Sequence, residues 1–292
     1  MNVIWSSAIQ GPHTLYLSRL LRFDDALAPQ YRPLFGLDED RPLRILEIGC
    51  GPGALSGALR RWYPRASVTG MDRDSAFIRF AQAHEKGVTF LEGDATALPF
   101  PDGAFDVTIS NTVSEHIEPS AFYGEQRRVL KPGGVCLVLS SRRGIHQPAP
   151  ALAPTELETQ FWQKARRADD VLKRHAVCQY PMNEAELPAA MARYGFSDVS
   201  TGYVAVALTP DQPGLPAETA RRILEAERQE DLESIAAVER SVPDCFSEEE
   251  FDAIRRIVQA KHDLRLAQYE DGEKQWDTSV SIIMVIRGRK PT

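Results

Sequence analysis

Short apolar runs alternate with helical periodicity through residues 42–140. Leu43–Ile48, Ser67–Met71, Val88–Leu91, Phe105–Ser110 and Gly134–Ser140 read as strands. Helices are predicted from about Ala54 (Leu55, Leu59 and Trp62 on one face), over Ser75–His84 and around Ser120–Leu130. Pro132-Gly133-Gly134 is expected to end the last of these and turn the chain into the next strand. Strands separated by helical segments predict a parallel sheet with right-handed crossovers.

Outside that stretch the pattern is mostly helical. Leu15, Leu17, Leu20, Leu21 and Phe23 mark an amphipathic helix, followed by a segment near Ala28–Phe35 that Pro29 and Pro33 should interrupt. Beyond Ser140 a Pro/Ala-rich passage gives way at Thr155-x-x-Glu158, a capping box that opens a helix expected to reach about His175. Glu184–Tyr194 reads as a helix closed by Gly195, and Asp198–Leu208 as a strand. Ser279–Ile286 is the next strand, about 70 residues on, too far for a hairpin loop. Between them the spacing predicts one helix from Ala217 to about Glu239 and a second capped by Ser247-x-x-Glu250. Their apolar faces need a cover: each other, the sheet domain or a second subunit.

The chemistry concentrates where the first strand ends. Gly49, Gly51 and Gly53 permit a tight turn and leave no Cβ between backbone and ligand, and the helix that follows points free N–H groups outward. Such a loop alone also fits a dinucleotide site, or a turn that binds nothing. Asp72 ends the second strand about 20 residues later, where a carboxylate meets ribose hydroxyls in nucleotide-binding α/β units. It equally fits a helix cap, because Asp74-Ser75 opens the next helix.

Five blocks fall in order: Glu47-Ile-Gly-Cys-Gly-Pro-Gly53, Gly70-Met-Asp72, Gly93-Asp-Ala95 with Leu98-Pro-Phe-Pro101, Phe105-Asp-Val107 and Val129-Leu-Lys-Pro-Gly-Gly134. Together they resemble the class I S-adenosylmethionine-dependent methyltransferases, in particular the ubiquinone/menaquinone-type branch. The resemblance covers about a third of the chain. It implies an α/β, doubly wound, mostly parallel seven-stranded sheet, Rossmann-like, with a helical N-terminal cap and a helical insertion before the last strand. The implied division is a lid over 1–41, a core over 42–210, an insertion over 211–275 serving as cap or dimer contact, and the last core strand over 276–292.

The same resemblance assigns the cofactor, S-adenosyl-L-methionine, leaving as S-adenosyl-L-homocysteine. Glu47, Gly49, Cys50, Gly51 and Gly53 would hold its methionine end, with help from the Asn111 backbone. Asp72 and Arg73 would flank the ribose, and Asp94 and Ala95 would read the adenine. Glu115 and His116 are the first ionisable side chains after the fourth strand and the candidate catalytic pair, since an imidazole can take a proton from an acceptor hydroxyl or amine. His116 could equally be a packing or capping residue. Arg142, Arg143 and His146 leave the fifth strand where they could grip an anionic acceptor, while Trp5, His13, Tyr16 and Arg19 are what a lid could present.

Composition adds exclusions. A formal net charge of −7 argues against broad electrostatic binding to nucleic acid or anionic membrane. No run of about 18 apolar residues predicts a bilayer span, and the first residues lack a secretory pattern. Four scattered cysteines point to reduced thiols in the cytoplasm and give no zinc spacing. The activity that the resemblance implies is methyl transfer to a small molecule, at O, N or C. An NAD-dependent oxidoreductase and a non-catalytic cofactor-binding scaffold are the alternatives, and a homodimer through the insertion is a further expectation.

Overall fold

A computed structural model describes residues 5–168 and 177–292. Among them seven strands form one sheet in the order β3-β2-β1-β4-β5-β7-β6. The strands are β1 (Arg44–Ile48), β2 (Ser67–Asp72), β3 (Val88–Glu92), β4 (Phe105–Asn111), β5 (Leu130–Gln147), β6 (Ser197–Leu208) and β7 (Thr278–Arg289). β1 pairs in parallel with β2 and β4, β2 with β3, and β4 with β5. At one end of the β6/β7 pair the Ser197 hydroxyl meets the Arg289 carbonyl, and at the other Thr209 faces Thr278, so β7 runs antiparallel to β6. The chain order therefore reverses between β1 and β4. At such a switch point the crevice beyond the carboxyl ends of the strands opens for a ligand.

The helices are α1 (Trp5–Ala8), α2 (Pro12–Arg22), α3 (Ala28–Phe35), α4 (Ala54–Trp62), α5 (Ser75–His84), α6 (Pro119–Val129), α7 (Glu156–Ala168), α8 (Glu186–Arg193), α9 (Ala217–Ser241) and α10 (Glu248–Glu270). No described helix is long and apolar enough to cross a membrane. The end of the helix expected to reach His175 lies outside the described residues.

Two compact units emerge. Of the described residues, one comprises 22–143, 177–206 and 282–292, the other 5–21, 144–168 and 207–281, so boundaries fall inside β5, β6 and β7 and at the last residue of α2. In the first unit α3 is continuous through Pro33, with Pro29 in its first turn, rather than broken as the sequence predicts. A proline at the start of a helix sacrifices only an N–H that has no partner there anyway, whereas Pro33, inside the helix, removes an i→i−4 bond at a cost of about 3 kcal/mol that packing must offset. What holds α3 is burial: Tyr31 and Phe35 are fully buried, and the Tyr31 ring stacks on Trp62 of α4 at 5.6 Å. Each such side chain contributes about 1.5–3 kcal/mol by leaving water. Residues 22–41 thus pack with the sheet core and do not group with α2.

β5 begins at Leu130, earlier than the expected Gly134. Phe105 opposes Leu130 while Val107 already opposes Val135, so the Lys131–Gly134 turn is absorbed as a bulge inside the strand. Further along, a Cβ on Gly144 would lie 1.7 Å from the Val280 carbonyl oxygen, so only glycine admits this approach of β7.

In the second unit the question of what covers the amphipathic helices has a local answer. Phe161 and Ala165 of α7, Ile235 of α9 and Phe251, Ile254 and Val258 of α10 share one core with Phe246. The capping box at the head of α7 forms: the Glu158 N–H donates to Thr155 Oγ1 and the Thr155 N–H to Glu158 Oε2. The same Glu158 carboxylate receives Lys261 Nζ at 2.7 Å. Arg265 is wholly buried between Asp211 (2.9 Å) and Asp277 (2.6 Å), joining α10 to the chain on either side of it.

Candidate active site

The glycine loop is built from backbone. Gly49, Gly51 and Gly53 all take positive φ (68°, 52° and 93°), a region that side chains rarely tolerate. A Cβ on Gly49 would sit 2.4 Å from Val113 Cγ2, and one on Gly53 would sit 2.9 Å from both Ala81 and Phe90. The Gly49 and Cys50 N–H groups both donate to the Met71 carbonyl, at 2.8 and 3.0 Å, locking the loop to the end of β2. α4 then starts with no side-chain cap, its first turn presenting donors. Beneath the loop, buried Glu47 accepts a hydrogen bond from Ser56 of α4. Cys50 is buried, and burial, with Glu47 and Asp72 nearby, pushes its thiol up, so it stays protonated as loop filling.

The two readings of the acid after β2 divide between two residues. Asp74 is the helix cap, accepting the Ala76 N–H at 3.0 Å. Asp72 is left to the loop: Oδ2 accepts the Gly51 N–H at 2.9 Å and Oδ1 the Asp74 N–H at 2.9 Å. Each oxygen keeps a second lone pair, the acceptor set that a vicinal diol requires. Burial raises the Asp72 pKa, against the two backbone bonds that favour the charged form.

Asp94 is exposed just after β3, with Oδ1 taking both the N–H and the hydroxyl of Thr96 (2.8 and 2.7 Å), and these bonds lower its pKa. Ala95 packs on the cluster beneath β1 and β2. The following loop is clamped by residues that carry no motif of their own: Arg128 donates to the carbonyls of Leu98 (2.9 Å) and Phe100 (2.7 Å) while paired with Glu125. Arg73 is exposed, and its charge lowers the pKa of Asp72, Asp94 and His116 alike. Among the predicted site residues the acids Glu47, Asp72, Asp94 and Glu115 outnumber Arg73, a balance that favours a cationic guest.

His116 is half-buried, and its Nδ1 accepts the Cys178 N–H at 3.1 Å; next to it the Glu115 carbonyl accepts the Tyr180 N–H at 2.9 Å. Burial, ahead of Arg73, lowers the His116 pKa against the pull of Glu115, so the ring is neutral near pH 7. With Nδ1 accepting, the proton of a neutral ring lies on Nε2. In this arrangement the imidazole is a donor and a tether for residues 178–180, and proton abstraction would first require the Cys178 bond to break.

Among the acceptor-side candidates, Arg142 is half-buried, with Nη1 on the Met182 carbonyl at 2.9 Å, Nε ion-paired with Glu184 Oε1 at 3.6 Å and Nη2 buried without a hydrogen-bond partner. Arg143 and His146 are exposed on the extension of β5. Tyr16 and Arg19 are half-buried on α2, in the helical unit.

Comparison with known proteins agrees with this geometry. Residues 46–138 match the methyltransferase domain family. The chain is 38% identical over 125 residues to a fatty-acid O-methyltransferase of Mycolicibacterium smegmatis, covering 40% of this chain and 45% of that protein. It is 41% identical over 134 residues to a demethylmenaquinone methyltransferase of Thermus thermophilus, covering 44% and 61%. The match thus spans about half the length of these relatives. Among solved structures, a Haemonchus contortus phosphoethanolamine N-methyltransferase 2 in complex with S-adenosyl-L-methionine superposes with a TM-score of 0.52 at 17% identity, over 99% of this chain and 59% of that one, a likeness of fold. Over residues 46–138 the chain is thus similar to the methyltransferase domain family, and the relatives it aligns with are named as methyltransferases.

Proposed function

We propose that the protein transfers a methyl group from S-adenosyl-L-methionine to a small-molecule acceptor and releases S-adenosyl-L-homocysteine. The observation that carries this reading is Asp72, held by the Gly51 N–H with acceptor capacity to spare and relieved of helix capping by Asp74. The residues fit the cofactor's parts. The first turn of α4 and the loop suit the methionine end, Asp72 the ribose diol and Asp94 the adenine amino group. The anionic surroundings suit a sulfonium.

The cofactor, when bound, supplies an electrophilic methyl carbon. An acceptor heteroatom or carbanion displaces the thioether in one step, and positive charge at sulfur is consumed. The chain's residues then serve chiefly to align donor and acceptor and to exclude water. His116, a donor through Nε2 in this arrangement, positions the segment at 178–180. Arg142, whose Nη2 is buried without a hydrogen bond although Nε already pairs with Glu184, is the residue we assign to an anionic group on the acceptor. The names of the relatives, a fatty acid in one and a quinone precursor in the other, support a small molecule as the acceptor class.

For residues 211–275 we propose a part in acceptor selection, with self-association through the same helices as the alternative that light scattering would reveal. The four cysteines are unpaired, as a reducing cytoplasm would leave them. Calorimetry with S-adenosylmethionine, S-adenosylhomocysteine and NAD tests the core of the proposal: micromolar binding of the first two is expected, and preference for NAD would overturn it. A methyl-release assay across an acceptor library then separates an enzyme from a silent binding protein.

A further inference from the structure

Two arginines of this chain present the same edge to different surroundings. A guanidinium holds Nε and one terminal nitrogen side by side, at a spacing that matches the two oxygens of a carboxylate. In Arg265 that edge is filled: Nε donates to Asp277 Oδ2 at 3.1 Å and Nη2 to Oδ1 at 2.6 Å. In Arg142 the same two nitrogens are buried and make no hydrogen bond. Its Nη1 is committed to the Met182 carbonyl at 2.9 Å, which fixes the plane of the group. Among the described residues the carboxylate paired with Arg142 is Glu184, whose Oε1 lies 3.6 Å from Nε, an ion pair too long to be a hydrogen bond.

The two partners are unequally exposed. The Arg142 side chain is 16% exposed and that of Glu184 55%, so the arginine is the buried host and the glutamate is held at the rim. Glu184 stays largely hydrated and loses little by leaving, because partly exposed pairs contribute little. Arg142 keeps two buried donors without a hydrogen bond, and a better-placed carboxylate would satisfy both. The segment that leads to Glu184 is fastened to the candidate site: the Cys178 N–H donates to His116 Nδ1 and the Tyr180 N–H to the Glu115 carbonyl. Met182, Val113 and Ile117 pack on one apolar cluster, and Val113 abuts Gly49 of the glycine loop. The same apolar surface thus adjoins both the loop and Arg142.

We propose that Glu184 guards Arg142: it stands at the place of the acceptor's carboxylate without filling it, and an acceptor with a carboxylate on an apolar body binds by displacing it. This rests on the assignment of Arg142 to the acceptor made above. The test is calorimetry of octanoate, with octanamide as its neutral counterpart, on the wild-type chain, Glu184→Gln, Arg142→Gln and the double variant, all with S-adenosylhomocysteine added. Glu184→Gln should tighten octanoate about two- to fivefold, the range for a partly exposed ion pair, and leave octanamide unchanged. Arg142→Gln should weaken octanoate about tenfold or more, and adding Glu184→Gln to it should bring no gain. If Arg142→Gln melts early, Arg142→Lys, which keeps the charge and loses the fork, makes the same comparison. Octanoate bound no more tightly by Glu184→Gln than by the wild-type chain overturns the guard, while a loss in Arg142→Gln still leaves Arg142 as the anion's partner. Octanoate that ignores Arg142→Gln, or that fails to bind, overturns the guard and the Arg142 assignment together. The heat of S-adenosylhomocysteine binding, recorded first, reports on the cofactor reading independently of both.

Discussion

The crevice at the carboxyl ends of β1, β2 and β4 and the helical unit built around α7, α9 and α10 are held by different means. In the crevice the determining contacts are main-chain: glycines at positive φ, N–H groups on the Met71 carbonyl and the Asp72 carboxylate, a loop clamped through its carbonyls. In the helical unit they are between side chains: an aromatic cluster, Lys261 on Glu158, Arg265 between two aspartates. Backbone-built sites tolerate little change in shape but spend few side chains, which stay available to a ligand. Side-chain networks hold elements together and saturate themselves in doing so. Substitutions in the crevice should therefore disturb binding before folding, and those in the helical unit folding before binding.

The largest effect should come from Arg265→Ala. It strands Asp211 and Asp277 in the interior, and loss of one member of a buried ionic group costs about 3–5 kcal/mol. Chemical denaturation should show the loss, and nucleoside affinity measured well below the new transition should hold. A collapse of affinity in parallel with stability would erase the proposed contrast. Gly49→Ala should do the reverse. A methyl group forced against Val113 at positive φ carries about 1–3 kcal/mol of strain, and calorimetry should record it mainly as lost S-adenosylmethionine affinity.

Asp72→Asn is next, with a severalfold or greater loss of affinity for S-adenosylhomocysteine. The pH dependence carries the sign. The Asp72 pKa is raised, and only the ionised carboxylate offers its full acceptor set to the ribose. Affinity should therefore fall as pH drops through that raised value, from above the ordinary carboxylate range of about 4. Asp72→Asn should flatten the profile, and an unchanged acid limb would remove Asp72 from the ribose.

His116 supplies a smaller but sharper test. If its Nδ1 acts as a tether, His116→Asn, whose Oδ1 falls close to that nitrogen, should retain most turnover and His116→Ala should lose severalfold. Equal losses in both, with disappearance of a basic limb in the pH–rate profile, would restore the general-base reading. The smallest effect belongs to the capping box of α7. Thr155→Ala should lower stability by about 0.5–2 kcal/mol without touching binding, as a melting curve would show. Glu158 has its pKa lowered: burial opposes this, but Lys261 and the Thr155 bonds outweigh it. Its contribution is thus present above the unfolded carboxylate pKa and lost as pH falls through the folded one.

How legible each region was follows from the same contrast. The residues that shape the loop, Gly49, Gly51, Gly53 and Asp72, were visible because backbone geometry admits few residue types there. Ser75–His84 also emerged with the bounds its periodicity gave. The clamp from Arg128, the tether from Cys178 to His116 and the Ser56 contact to Glu47 carried no sequence signal, since an arginine or a serine on a helix face is ordinary until its neighbour is known.

By itself the sequence determined the alternating elements, the glycine turn, the acids that follow β2 and β3 and both capping boxes. Periodicity, φ restrictions and capping act over a few residues and leave their mark in composition. Only the tertiary structure decided that 22–41 pack with the sheet core, that 144–168 join the insertion and α2 in one helical unit, and that Asp74 rather than Asp72 caps α5. Those outcomes depend on contacts such as Lys261 with Glu158, 103 residues apart. Burial and ion pairing between distant segments are set by which surfaces meet, and that is a property of the folded chain.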